Sequence, residues 1–178
     1  MEQDDNALVR ECLKGNSDAF EALFDKYQKP IFNIAFRLTK DFDDAKDITQ
    51  TVFVNAYENL KAFNPKYKFF SWLYRSAINN SLNLISRNSR KEELNQCLIT
   101  KEKTPEEIVN EVELSENIQD ALEELNINYR IVIVLKHFIS FSYEEISDIL
   151  EVPEKTVKSR LYTARQLLKD ILIKNKVV

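Results

Sequence analysis

The chain has 178 residues, with 25 Lys and Arg against 29 Asp and Glu, and a formal net charge of −4. That length admits one ordinary domain or two small ones, and an acidic balance excludes a protein that coats nucleic acid unaided, because such binding rests on neutralising phosphates. Gly15 is the single glycine, which rules out Gly-rich phosphate loops and a dinucleotide fingerprint, and Cys12 and Cys97 fit neither a zinc spacing nor a disulfide framework.

The amino-terminal stretch MEQDDNALVREC is acidic and has no apolar core segment, and no apolar run reaches the roughly 18 residues of a membrane span. A cytoplasmic protein without membrane insertion is expected. Apolar positions recur at helical spacing through most of the chain, so the expected fold class is all-α with short connections. In DDAKDITQTVFVNAYENLKAF the period places Ile48, Val52, Ala56, Leu60 and Phe63 inward, and Asp47, Gln50, Thr51, Val54 and Glu58 outward. The outward face is either solvated or, given the apolar Val54 among polar neighbours, a protein-binding patch. Asp41, Asp43, Asp44 and Asp47 lack the Gly at the sixth and the Glu at the twelfth position that a calcium loop needs, so no metal is expected.

From Lys66 to Lys91 the cations Lys66, Lys68, Arg75, Arg87, Arg90 and Lys91 stand without a single acid, together with aromatics from Tyr67 to Tyr74 and the amides Asn79, Asn80 and Asn83. Rings that stack and amides that bond base edges are what single-stranded bases require. Phe69, Phe70, Leu73, Ala77 and Leu84 share one helical side, however, and are expected in the core.

Between Glu92 and Glu124 the balance reverses. Glu92, Glu93, Glu102, Glu106, Glu107, Glu111, Glu113, Glu116, Asp120, Glu123 and Glu124 face only Lys101 and Lys103. Residues 91–113 also carry few large apolar side chains, so they are expected to form an acidic linker between a helical domain over 1–90 and a smaller one over 114–178. Within the linker, Thr104-Pro105-Glu106-Glu107 has the pattern of a helix start.

In the carboxy-terminal block, Ser142 and Glu145 form a capping-box pattern, and Ile146, Ile149 and Leu150 follow on one face. Pro153 then suits the first turn of another helix. A short helix, a tight turn and a second helix within about 20 residues have the size of a helix-turn-helix. On the second helix Val157, Leu161, Ala164 and Leu168 form the inward stripe. The opposite face holds Lys155, Lys158, Ser159, Tyr162, Thr163, Gln166 and Lys169, flanked by Thr156, Arg160 and Arg165. These residue types contact phosphates and base edges, although a solvated basic face has the same composition. His137, the only histidine, has no Cys or Ser placed beside it as a nucleophile, so no enzyme is expected.

Taken in order, GNSDAFEALFDKYQKPIF, DDAKDITQTVFVNAYENLKAF, FFSWLYRSAINNSLNLI and SYEEISDILEVPEKTVKSRLYTARQLL resemble the successive segments of a bacterial extracytoplasmic-function sigma factor of the sigma-70 family. The resemblance implies a dissociable promoter-specificity subunit that binds the β and β′ subunits of core RNA polymerase and promoter DNA, with an anti-sigma factor as a further partner and no cofactor. It further implies that Asp44, Asp47, Gln50, Thr51 and Val54 dock on a coiled coil of β′. Arg75, Asn79, Asn80, Asn83 and Arg87 would read the −10 element, with Asn79 where the family captures a flipped base. Lys155, Thr156, Lys158, Ser159, Arg160, Tyr162, Thr163 and Arg165 would read the −35 element. The chain departs from the family's glycine-bearing turns at Phe141, Glu151 and Lys155, and has Thr51 where an acid is common.

Two other classes fit the residues alone. One is a free-standing dimeric helix-turn-helix regulator, which would bind DNA without polymerase. The other is a helical adaptor with no DNA role, which would be indifferent to reversing Lys158 and Arg160.

Overall fold

The computed structural model describes residues 4–64, 67–94 and 116–175, and within these all regular structure is helical. The linker expected over 91–113 and the helix start at Thr104 lie almost wholly outside the described residues; only 91–94 are seen, as a continuation of helix.

Four helices build the first module: α1 Asp5–Leu13, α2 Ser17–Thr39, α3 Phe42–Glu58 and α4 Phe69–Leu94, with a 3₁₀ turn at Leu60–Ala62. Local chemistry fixes their starts. Asp4, Asn16 and Asp41 are N-caps whose side chains accept from Asn6, Asp18 and Asp44 N–H groups. Asp41, Asp43 and Asp44 therefore complement the positive end of α3. Among the described residues no group of His, Cys, Asp or Glu is arranged to hold a metal ion. Inward faces follow the helical period: Ile48, Val52, Ala56, Leu60 and Phe63 are buried. So are Phe69, Leu73 and Ala77 of α4, while Phe70 and Leu84 are half-buried. Pro30 lies inside α2 without ending it.

The second module comprises α5 Glu116–Glu123, α6 Ile127–Ile133 running into a π-helical turn at Val134–Phe138, α7 Tyr143–Leu150 and α8 Glu154–Lys174. The capping box forms as the residues predict: Glu145 N–H donates to the Ser142 hydroxyl at 3.1 Å, and Ser142 N–H donates to the Glu145 carboxylate at 2.8 Å. Pro153 sits one residue earlier than expected, at the N-cap of α8 rather than in its first turn. Val157, Leu161 and Ala164 are buried against α6 and α7. No described helix is long and apolar enough to cross a membrane.

The modules do not stand apart. Their buried residues form one cluster from Leu8 to Ala164, and α4 packs on α7 while α2 packs on α6 and the π turn. Phe70 stacks on Phe141 at 5.3 Å and Tyr74 meets the same ring edge-on at 4.9 Å. Arg37, nearly buried, lies 3.9 Å over the Phe138 ring. Burial pulls the Arg37 guanidinium below its ordinary value, and the ring supplies part of what water would have given.

Candidate nucleic-acid interface

Helix α8 presents the expected face. Lys155, Lys158, Ser159, Tyr162, Arg165 and Gln166 are exposed, and Thr156, Arg160 and Thr163 lie half-buried along its other flank. Tyr162 leaves 69% of its surface open, a large exposure for an aromatic with a bonding hydroxyl. Two of the cations are held in place. Lys158 pairs with Glu154 at 2.5 Å, one turn back, and lies 5.4 Å over the Tyr143 ring. Arg165 donates from Nε to His137 Nε2 at 3.2 Å. His137 must be neutral at that nitrogen to accept, and its imidazole is held below the ordinary value by burial and then by Arg165 and Lys136. Its place beside Arg165 was not foreseen from the sequence, since 28 residues separate them.

On α4, Arg75, Asn79, Asn83 and Arg87 succeed one another at four-residue spacing, which puts them on one gently drifting stripe. Asn79, Asn83 and Arg87 are exposed. Asn80 falls about 100° around the helix from Asn79 and donates its amide to the Ser76 carbonyl at 2.9 Å, so the fold does not bring it to the stripe. Arg75 is half-buried and committed elsewhere: it donates to the Ile149 carbonyl at 3.1 Å and the Asp148 carbonyl at 2.5 Å, and pairs with Glu151.

The third surface lies on α3. Asp47, Gln50, Thr51 and Val54 are exposed along one stripe, and Asp44 is half-buried at its start. Gln50, Val54 and Glu58 form one wall of a groove of about 330 Å³ whose other lining residues are Phe20, Phe24, Phe53 and Tyr57. Phe20 meets Tyr57 edge-on at 5.0 Å and Phe24 meets Phe53 at 4.7 Å, while Tyr57 remains 62% and Val54 49% exposed. Phe20, Phe24 and Tyr57 were missed as candidates. The spacing of Phe20 and Phe24, an aromatic pair one turn apart beyond the inward stripe of α2, was the available signal.

Comparison with known proteins gives this arrangement its class. Residues 23–91 match the family Sigma-70 region 2, and residues 115–168 match Sigma-70, region 4. The chain is 32% identical over 176 residues to the ECF RNA polymerase sigma factor SigW of Bacillus subtilis, covering 92% of this chain and 94% of the relative. It is 30% identical to the ECF RNA polymerase sigma-E factor of Escherichia coli K12, covering 92% of each. The structure of CnrH, solved in complex with the cytosolic domain of CnrY, superposes with TM-score 0.75 at 25% identity, over 97% of this chain and 99% of that one. The chain belongs to the extracytoplasmic-function RNA polymerase sigma factors of the sigma-70 family. That membership does not favour the free-standing dimeric regulator.

Proposed function

We propose that this sigma factor divides promoter recognition among the three surfaces. The stripe Asp47, Gln50, Thr51 and Val54, with Asp44 at its start and the aromatic groove beside it, docks on core polymerase through β′. Asn79, Asn83 and Arg87 read the −10 element, with Arg75 and Asn80 in supporting positions. Lys155, Thr156, Lys158, Ser159, Arg160, Tyr162, Thr163 and Arg165 read the −35 element. The division of labour runs over residues 1–90, a linker at 91–113 and residues 114–178. An anti-sigma protein is a further partner, by analogy with the Bartonella quintana sigma factor RpoE, solved with the anti-sigma factor NepR. The protein acts in the cytoplasm, by binding alone.

The observation that carries this reading is the exposure of the α8 face together with the amide stripe of α4 in a chain of net charge −4. Cations are concentrated where DNA is read, and polymerase supplies the rest of the affinity. Capturing a flipped base costs a few kcal/mol of stacking and pairing, which donors and acceptors such as the Asn79 amide offset.

The test is a gel shift and a run-off transcription assay on promoter DNA, with and without core polymerase. The expected result is a shift only with core. Asn79→Ala should lose promoter opening while co-purification with core persists, whereas Asp47→Lys or Gln50→Ala should weaken co-purification itself. Strong promoter binding by the isolated chain would favour the regulator instead.

A further inference from the structure

Lys158, Tyr162, Arg165 and Lys169 follow one another at spacings of four, three and four, so they form one stripe along α8. The segment Val134–Phe138 runs beside it. Lys136 and Lys158 lie over the Tyr143 ring at 5.0 and 5.4 Å, and Arg165 donates from Nε to His137 Nε2 at 3.2 Å. Lys158 and Arg165 are thus held in different ways. Glu154 fixes Lys158 and offsets its charge, whereas His137 takes one donor of Arg165 on an uncharged atom. Among the described residues no carboxylate pairs with Arg165, and its terminal Nη groups make none of the described hydrogen bonds. The guanidinium keeps its charge and the donors that suit a phosphate.

We propose that His137 is a positioning residue for −35 recognition: as a neutral acceptor it fixes the Arg165 guanidinium so that the Nη groups meet the DNA backbone, and does not touch DNA itself. The role rests on the assignment of α8 to the −35 element. A surface arginine loses side-chain freedom when it grips a phosphate, and one already held loses less. A carboxylate at 137 would also hold Arg165, but would offset the charge that phosphate binding uses. The anchor requires an unprotonated Nε2. The charged groups facing His137 among the described residues are cations: Lys136 from its own turn, and Arg165 and Lys169 from α8, which line one groove with it. From α2, Arg37 lies over the neighbouring Phe138 ring, and from α6, Arg130 turns to the Leu38 and Glu123 carbonyls. On α7, Glu145 closes the capping box, Asp148 and Glu151 face Lys68 and Arg75, and Glu144 makes none of the described contacts. Burial, then Arg165 and Lys136, hold the imidazole below its ordinary value. The contact is therefore present at neutral pH and lost as pH falls through that depressed value.

The experiment titrates promoter DNA with the full chain bound to core polymerase, at fixed salt, and reads protection of the −35 region by footprinting. The variants are Arg165→Ala, His137→Leu, His137→Lys, His137→Gln and the double variant His137→Leu with Arg165→Ala, each first shown to melt as a folded protein and to co-purify with core. His137→Leu should weaken protection about two- to tenfold, the cost of ordering one long side chain, and Arg165→Ala at least as much. The double variant should be no weaker than Arg165→Ala alone, because the first residue acts through the second. His137→Gln, whose amide oxygen accepts in place of Nε2, should keep the natural affinity at about pH 7.5, and the natural chain should fall behind it as pH is lowered to about 5.5. His137→Lys should bind more weakly although it adds a cation. Additive losses in the double variant, or natural affinity in His137→Leu or Arg165→Ala, would overturn the positioning role. So would tighter binding by His137→Lys, or a natural chain that gains on His137→Gln in acid, since charge at 137 would then act on DNA directly. A natural chain that binds core but leaves the −35 region unprotected would overturn the assignment of α8 underneath.

Discussion

Ser140 and Glu151 have φ of 66° and 53°, in the left-handed region where a side chain is strained. At Glu151 the strain has a return: the backbone N–H closes on the Ser147 carbonyl to end α7, and the carboxylate meets Arg75. Ser140 is exposed, and among the described contacts its side chain makes none. Ser140→Gly should therefore stabilise the protein by about 0.5–1 kcal/mol, raising the melting temperature by a few degrees in a calorimetric scan. The sequence pointed to these turns unevenly. Glu151 stands where the family usually has glycine, and the backbone there does adopt the glycine conformation. Lys155 departs from the family on the same ground but lies inside α8, where no left-handed residue is required. The departure at Phe141 falls one residue late, the strained position being Ser140. His137 carries a further expectation. Its folded-state value is depressed, so the stability it protects is fully present above the unfolded value of about 6.5 and is lost as pH falls below it. Thermal melts between pH 7 and 5 should show a shallower acid loss for His137→Gln than for the natural chain.

At the scale of a helix, the legible features were those set by near neighbours. The capping box of α7 and the inward stripes of α3 and α8 arise from residues three or four apart, and periodicity suffices to find them. The aromatic groove was not legible in this way, because Phe20 and Phe24 come from α2 and Tyr57 from α3, and no spacing within one helix states that those faces adjoin. The same limit hid the partner of Arg75, whose place on the stripe pointed to −10 DNA. Helix α8 gives the clearest test at this scale. Lys158→Glu with Arg160→Glu should cost about 1–3 kcal/mol per residue in −35 binding by the polymerase complex, measured by footprinting, and leave the affinity for core unchanged. Unchanged footprints would move the −35 contacts off this face.

For the molecule as a whole, the continuous cluster predicts that the modules share stability. Trp72 is the only tryptophan and packs against Phe63 and Phe69 within the first module, so its fluorescence reports that module alone. Phe141→Ala, in the second module, should nonetheless lower the midpoint of the Trp72 transition in urea by the equivalent of about 1–3 kcal/mol, through the lost ring contacts with Phe70 and Tyr74. A midpoint that stays in place would mean that the modules unfold independently.

The π turn at Val134–Phe138 sets the phase of the chain beyond it. There Ile139 N–H reaches back five residues, to the Val134 carbonyl at 3.2 Å, one residue more than an α-helix spans. That extra residue rotates the side chains beside it, so that Phe138 meets Arg37 of the first module while its neighbour His137 meets Arg165 on α8. Winding these same residues as an ordinary α-helix would turn the subsequent positions by about 100°, moving both contacts at once. The winding of this short segment, more than the chemistry of its side chains, keeps the inter-module contact in step with α8.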